Sequence, residues 1–339
     1  MACPSISLSY DLRNPDPTAF AYEDLYTGYF DQMVWAEKLG FGRIWLSESH
    51  FSKHGESPAM LLAASALAAR TTKIRIGTNL LVLPLHHPIR LAEDAAFLSI
   101  LSKGRFDLGI GGGSHALDFA AFQRRLQERP SLVEESVAII RQAWVGKPFN
   151  FSGKRWQFPE LTVAPMPREP NIPLFMGAFA APAVERAARL ADGYLCGFEG
   201  KAQGYLDALR TIGKDPAKGK IVMTQWAVID EDPERAWARV GPFALRQLND
   251  YIREGSFGNG VLYEDPADIL RKGAYVLWDG PTAVAKLKAL HQRYPQIIDI
   301  QLFSQIPGEL VDSGSRRLEY IATKVIPQLQ SALSTEERI

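Results

Sequence analysis

The sequence predicts a (β/α)8 barrel, a TIM barrel, on three observations. The stretch TTKIRIGTNLLVLPLHHPIRLAEDAAFLSILSKGRFDLGIGGG (Thr71 to Gly113) sets two branched apolar runs, Ile74–Val82 and Phe106–Ile110, around an amphipathic segment from Ile89 to Leu101. Runs apolar on both faces suit strands of a buried parallel sheet, and the period of the middle segment suits a covering helix. Strand, helix, strand is a right-handed crossover unit, and such units recur along the chain until eight strands are reached. The polar and glycine-rich positions Asn79, His86, His87 and Gly111 to Gly113 fall just past strand C-termini, the edge where a barrel keeps its chemistry. An open doubly wound sheet is the alternative that the same alternation allows.

Taken in order, Ile6–Tyr10 alternates as a short strand, and the proline and aspartates of DLRNPDP make the next segment a loop. Tyr22–Leu39 carries Leu25, Tyr29, Phe30, Met33, Val34 and Ala36 at helical spacing and is closed by Gly40. Arg43–Leu46 is the second strand, and Pro58 opens an alanine-rich helix to Arg70. The Thr71–Gly113 stretch supplies strands three and four. A helix around Asp118–Phe122 precedes a longer one, Ser131–Trp144. Phe149–Arg168, with prolines at 159, 165 and 167, reads as an irregular excursion after the fourth barrel helix. Pro173–Met176, Gly193–Cys196 and Lys220–Ile229 are strands five to seven, separated by helices Pro182–Leu190 and Ala202–Ile212. Asp232 caps a helix through Val240. From Gly241 to Gly280 helical pieces alternate with a glycine-rich loop, EGSFGNG, which suggests a lid-like insertion. Ala283–His291 is helical, Ile297–Phe303 is strand eight, and Arg316–Gln330 is a closing helix. All 339 residues are therefore expected to form one barrel domain.

The chain is 46% hydrophobic and 22% charged, with a formal net charge of zero. No basic stripe points to nucleic acid, and no apolar run approaches the ~20 residues that cross a membrane. The segment MACPSISLSYDLRN lacks a charged start and a long apolar centre, so no signal peptide is read there. Cys3 and Cys196 give neither a disulfide framework nor zinc spacing, and two incidental thiols suit a cytoplasmic protein. His50 and His54 would need a helix to put both rings on one metal, and the serines and glycine of SESHFSKHGESP argue against one. No metal site is expected.

Three segments resemble the bacterial luciferase-like family of flavin-dependent monooxygenases. LGFGRIWLSESHF (Leu39–Phe51) is similar to the family's second strand, which ends in Glu-His-His-Phe. RIGTNLLVLPLHHPIRLAEDAAFLSILSKGRFDLGIGGG (Arg75–Gly113) is similar to its third and fourth strands, and IPLFMGAFAAPAVERAARLADGYL (Ile172–Leu195) to its fifth and sixth. The resemblance implies a barrel, FMN supplied in reduced form by a separate reductase, O2 and a small organic substrate. It also implies a homodimer packed through the second and third helices, and a non-prolyl cis peptide at Asn79–Leu80. Ser49 takes the place of the family's first histidine, and only the second remains, as His50. Gly112 takes the place of an arginine that reaches a phosphate, and acidic and hydroxyl residues common at 179, 180 and 183 are replaced by Phe179, Ala180 and Ala183.

The expected catalytic groups are His50, past a strand end where a neutral imidazole can exchange a proton, and His115, just past the glycine run. Glu48, Thr78, Asn79 and Leu80 are expected at the flavin ring. Gly111, Gly112, Gly113 and Ser114 are expected at its tail, with Gly177, Ala178, Phe179 and Ala180. Pro182 suits a first helical turn and Ala181 has no capping oxygen, which leaves amides for a phosphate. His86 and His87 are read as capping the third helix and lining the rim. Three functional readings follow: an FMN-dependent monooxygenase, a deazaflavin-dependent hydride-transfer enzyme on the same barrel, and a non-catalytic flavin-binding protein.

Overall fold

The computed structural model describes residues 3–14, 16–53, 55–169, 171–255, 260–303 and 305–334. The chain opens with β1 (Ser5–Tyr10), α1 (Tyr22–Leu39), β2 (Arg43–Leu46) and α2 (Met60–Arg70). Gly40 ends α1 at φ 90°, and its N–H returns to the carbonyls of Ala36 and Glu37, the αL cap that glycine adopts without steric cost. β3 (Arg75–Thr78) and β4 (Leu81–Val82) precede α3 (Pro88–Leu101), β5 (Phe106–Gly111), α4 (Ala116–Ala121) and α5 (Arg129–Ala143). β6 (Phe149–Ser152) and β7 (Gln157–Leu161) follow, then β8 (Leu174–Gly177), α6 (Ala181–Leu190), β9 (Gly193–Cys196) and α7 (Ala202–Thr211). The remainder is β10 (Ile221–Gln225), β11 (Ala227–Ile229), α8 (Pro233–Arg253), α9 (Pro266–Arg271), β12 (Val276–Trp278), α10 (Gly280–Arg293), β13 (Ile297–Leu302), α11 (Val311–Tyr320) and α12 (Ile326–Ser334).

Eight strands close into a parallel barrel in the order β1, β2, β3, β5, β8, β9, β10, β13, with β13 returning to β1. The fold is thus the TIM barrel expected. Its lower interior is polar: Arg43 donates to Asp107 at 2.8 Å and pairs with Asp299 at 3.1 Å, and Ser7 Oγ and Trp45 Nε1 donate to Asp299. Above that floor Trp45, Phe175, Leu195 and Val222 pack as an apolar plug. The chemistry is left to the open C-terminal mouth.

Four expectations are corrected. The third strand does not run unbroken from Ile74 to Val82: β3 stops at Thr78 and β4 resumes at Leu81 against β5, while the Asn79–Leu80 peptide between them is cis, as expected. The seventh strand leaves the barrel at Trp226, and β11 pairs instead with β12. The excursion is not irregular, because β6 and β7 form an antiparallel hairpin. It carries Trp156 against Leu132 and Ile139 of α5; Pro159 is tolerated on its edge strand, and Pro165 and Pro167 follow after β7 has ended. Finally, α8 does not end at Val240 but runs through Gly241 and Pro242 to Arg253. Its apolar positions Ala236, Trp237, Val240, Ala244 and Leu248 pack with Ile269, Tyr275 and Val228 into a second core. That burial outweighs the backbone hydrogen bond that Pro242 forfeits. Gly241 is required because a Cβ there would stand 2.9 Å from Pro266 Cβ on α9. Residues 256–259, the centre of EGSFGNG, lie outside the described residues, as does His54.

Candidate functional site

The mouth is organised by Glu48, two residues past β2, whose carboxylate is 1% exposed. It accepts the Val82 N–H at 2.5 Å and meets His86 Nε2 at 2.7 Å and His50 Nε2 at 3.3 Å. Burial alone would hold Glu48 protonated, but these three partners outweigh it and bring its pKa down to about 2. A depressed carboxylate stabilises the fold above its unfolded pKa and loses that contribution as pH falls toward 2, so Glu48 is ionised throughout the neutral range. The His50 side chain is largely buried, 11% exposed. Burial opposes its charge, but the Glu48 hydrogen bond and the charges of Glu48 and Asp118 raise its pKa above the ordinary imidazole value. The pair therefore keeps a proton at His50 Nε2 near neutral pH. The His50 ring packs edge-on to Phe122 at 4.8 Å, which fixes its plane.

His86 belongs to this centre rather than to the cap of α3, a role that sequence reasoning missed. The only sequence signal was its place before a proline-started helix; the 38 residues to Glu48 are closed by the barrel. His87 does occupy the N-cap position of α3, without a capping hydrogen bond, and its ring meets Trp156 edge-on at 4.8 Å.

The other expected positions fall along the same rim. Thr78 Oγ1 donates to the Gly109 carbonyl at 2.6 Å and accepts its N–H at 2.8 Å, so this side chain ties β3 to β5. Asn79 donates its side-chain amide to Gln301 Oε1 at 2.5 Å, and its N–H to the Leu46 carbonyl at 2.7 Å. Leu80 lies over two of the glycines: a Cβ on Gly111 would come within 2.7 Å of it and one on Gly177 within 2.5 Å. Gly113 has φ +67°, and a Cβ there would meet Val82 at 2.5 Å. Gly112 alone faces open space. Ser114 follows, and His115 occupies the N-cap position of α4 with Nδ1 at 2.7 Å from Asp118 Oδ1. The Ala178 carbonyl accepts the Tyr194 hydroxyl at 2.6 Å, and Ala180 is the uncapped N-cap position of α6. Ala183 and Val184 donate to the Ala180 carbonyl, so of the amides expected for an anion only that of Ala181 leads the helix. A second residue that sequence reasoning missed is Arg129 at the start of α5. Its Nη1 donates to the Gly113 carbonyl at 2.6 Å, which brings a guanidinium to the glycine run.

Beside the Glu48 centre, α8 is tied to the mouth by a buried cation. Arg13, 1% exposed, pairs with Glu56, with Asp11 at 3.1 Å and with Asp250 at 3.4 Å, and lies over the Tyr251 ring at 4.9 Å. Burial, with the charges of Asp11 and Glu254 against that of Arg13, pushes the Glu56 carboxyl up to about 8. A carboxyl with a raised folded pKa contributes stability that is complete below the unfolded value and lost as pH rises through the folded one. Glu56→Gln is therefore expected to gain stability relative to the wild type between pH 5 and pH 8, read from thermal melts across that range. A melting difference that stays constant with pH would contradict the placement of a proton on Glu56.

Among the described residues no group of three or more His, Cys, Asp or Glu side chains is arranged to hold a metal, and no helix is long and apolar enough to cross a membrane. The barrel mouth thus gathers an ionised buried carboxylate, two imidazoles on it and a glycine-lined rim. The chain belongs to the luciferase-like monooxygenase family, whose model matches residues 19–288. It is 31% identical over 159 residues to the oxygenase component of a flavin-dependent trigonelline monooxygenase of Acinetobacter baylyi, covering 46% of this chain and 44% of that one. It is 28% identical over 323 residues to an F420-dependent glucose-6-phosphate dehydrogenase of Kineococcus radiotolerans, covering 88% and 92%. The chain thus spans about half the length of some relatives it matches and most of others. In fold it is similar to the oxygenating constituent of 3,6-diketocamphane monooxygenase of Pseudomonas putida, solved with FMN, with a TM-score of 0.78 at 20% identity, covering 97% and 99%.

Proposed function

We propose that the chain is the oxygenase of a two-component system, taking reduced FMN from a separate reductase and using O2 to oxidise a small organic substrate. The observation that carries this reading is the Glu48–His50–His86 centre at the mouth, a fixed negative charge with a proton held beside it. The trigonelline relative, named as an oxygenase component, supports the reductase partner, and the FMN-bound camphane enzyme supports the flavin.

The residues fit such a group: the rim is smoothed by glycines, Gly112 leaves space, and Arg129 brings positive charge to the glycine run. Glu48, Thr78, Asn79 and Leu80 would border the ring. Gly111–Ser114, with Gly177, Ala178, Ala180 and Arg129, would border the phosphate-bearing tail, and the Phe179 ring turns instead toward Phe198. Bound reduced FMN supplies the electrons and the reaction with O2. The protein's share is to exclude water with the Leu80 and aromatic walls, and to hold a proton at His50 Nε2 through Glu48. His115, oriented by Asp118, stands as the second proton-carrying group on the β5 side. Exposed Leu62 on α2, with Phe97, Ile100 and Leu101 on α3, supports a homodimer through these helices.

The comparison with the F420-dependent dehydrogenase favours one rival, hydride transfer with a deazaflavin on the same barrel. Anaerobic titration with reduced FMN and with reduced F420 separates the two: the proposal requires saturable binding of FMN and the weaker response to F420. Because no side chain extends from position 112, FMN binding is expected to be weak and improvable. Gly112→Arg, whose Cβ would meet nothing within 4 Å, is expected to tighten FMN about tenfold, the size of one charge-assisted contact of roughly 1.5 kcal/mol. Quenching of FMN fluorescence gives the affinity. An unchanged or weaker value would place the phosphate elsewhere.

A further inference from the structure

Five phenylalanines are exposed among the described residues, and four of them, Phe51, Phe122, Phe179 and Phe198, sit in the segments that follow barrel strands at the mouth. Exposed rings concentrated on one rim mark a surface meant to be covered. On the side facing away from Glu48, the rings form a row across four strand ends. Phe303, after β13, stacks on Trp226, after β10, at 4.5 Å and 21°. Trp226 lies nearly parallel to Phe198, after β9, at 6.5 Å, and Phe198 meets Phe179, after β8, at 5.7 Å. Exposure rises along the row, from 7% at Phe303 to 37% at Phe198 and 41% at Phe179. The inner rings are packed by the protein and hold the outer two in place. Trp226 Nε1 donates to the Gly197 carbonyl at 3.2 Å, and Gly197 lacks the Cβ that would stand 3.1 Å from the Phe179 ring.

Phe198 is also one wall of a cleft of about 380 Å³, large enough for a small organic molecule. Its other walls include Leu248 and Ile252 of α8, Val261, Tyr263 and Ala274. Among the described residues that line it the one charged group, Lys272, is already bonded to Asp268 at 2.7 Å and lies over the Tyr263 ring at 5.4 Å. The cleft therefore rewards apolar surface and offers an anion little.

The geometry points to a substrate class: an uncharged, ring-bearing apolar molecule that rests on the Phe179–Phe198 pair and extends past Phe198 into this cleft. The inference rests on the flavin-oxygenase reading for the reaction, but the recognition itself needs no flavin. Aromatic rings prefer offset or edge contacts with other rings, so the row selects planar ligands by shape as well as by burial. A sugar phosphate would bring its charge to a wall of phenylalanines.

Calorimetry with 1-naphthol as the probe, and glucose 6-phosphate as its anionic counterpart, tests this on the intact chain. The wild type is expected to bind 1-naphthol saturably and to give no heat with glucose 6-phosphate. Phe198→Ala, and independently Val261→Asp at the exposed far wall, are each expected to weaken 1-naphthol about tenfold, the effect of one lost ring contact or one misplaced charge. Melting temperatures near that of the wild type show that the loss is local. Binding of glucose 6-phosphate with no response to 1-naphthol, or undiminished 1-naphthol binding in both variants, would overturn the proposal. If 1-naphthol binds as expected while reduced FMN reacts with O2 as it does without protein, the oxygenase reading fails and the substrate class stands.

Discussion

Glu48→Gln is expected to lower the rate of oxygen-dependent turnover by about a hundredfold, the usual share of a positioned proton-transfer group. The substitution keeps an acceptor for the Val82 N–H and leaves the shape of the site, so little stability should be lost. What disappears is the charge that holds a proton on His50. In the wild type that charge and hydrogen bond outweigh burial and raise the His50 pKa; in the variant burial dominates and the pKa falls. The alkaline limb of the pH–rate profile, where His50 loses its proton, should therefore move to lower pH. Imidazole proton resonances followed across pH give the same shift without any reaction. Full turnover with an unmoved profile would reduce Glu48 to a structural role. His50→Ala is the companion case and should slow oxidation by far more than the roughly 1 kcal/mol of stability that losing a largely buried polar ring costs, so turnover and melting temperature measured together separate the two roles.

Arg13→Met is expected to cost about 3–5 kcal/mol, because it removes the buried cation that Asp11 and Glu56 share, while Asp250 keeps its pairing with Arg253. Methionine preserves much of the volume, so the loss reports charge rather than a cavity. The segment most affected should be the C-terminal part of α8, whose Asp250 and Tyr251 both engage the guanidinium. Amide exchange in residues 247–253 should speed up well before exchange in β1. The double variant Arg13→Met, Glu56→Gln should recover part of the loss, since one acid no longer has to stay neutral without its partner. A melting temperature unchanged by Arg13→Met would show that α8 is held by its second apolar core alone.

The barrel was legible because parallel strands buried on both faces are written as short branched runs, and the helices between them carry a clean period. α1, β2 and β9 fall at the expected residues, Tyr22–Leu39, Arg43–Leu46 and Gly193–Cys196. The errors lie where tertiary contacts override local propensity. Gly241 and Pro242 look like a helix end, yet Trp237, Ala244 and Leu248 bury a face that needs the helix to continue. Trp226 looks like the middle of a strand, yet its ring is wanted under Phe303 and Phe198, and the chain turns out of the barrel there.

At the site, Glu48, His50 and Asn79 could be placed at the mouth because they end strands. The partnership of His86 with Glu48, and the approach of Arg129 to Gly113, could not be read. Both are contacts between elements distant in sequence, made only when the barrel closes. The glycines were also read too narrowly. Gly111 and Gly177 make room for Leu80, and Gly109 is required because a Cβ would lie 1.8 Å from the Thr78 carbonyl oxygen. Two of them are thus packing requirements of the rim before they are anything to a cofactor.

The central claim is that this mouth governs the reaction of reduced FMN with oxygen. Rapid mixing of the anaerobic protein and reduced FMN with oxygenated buffer tests it most directly, with the flavin spectrum followed in time. The account predicts that flavin reoxidation departs from its free-solution course, saturably with protein concentration, and that the departure is lost in Glu48→Gln. Reoxidation identical to that of free FMN at every protein concentration, with tight binding of reduced F420 under the same conditions, would contradict it.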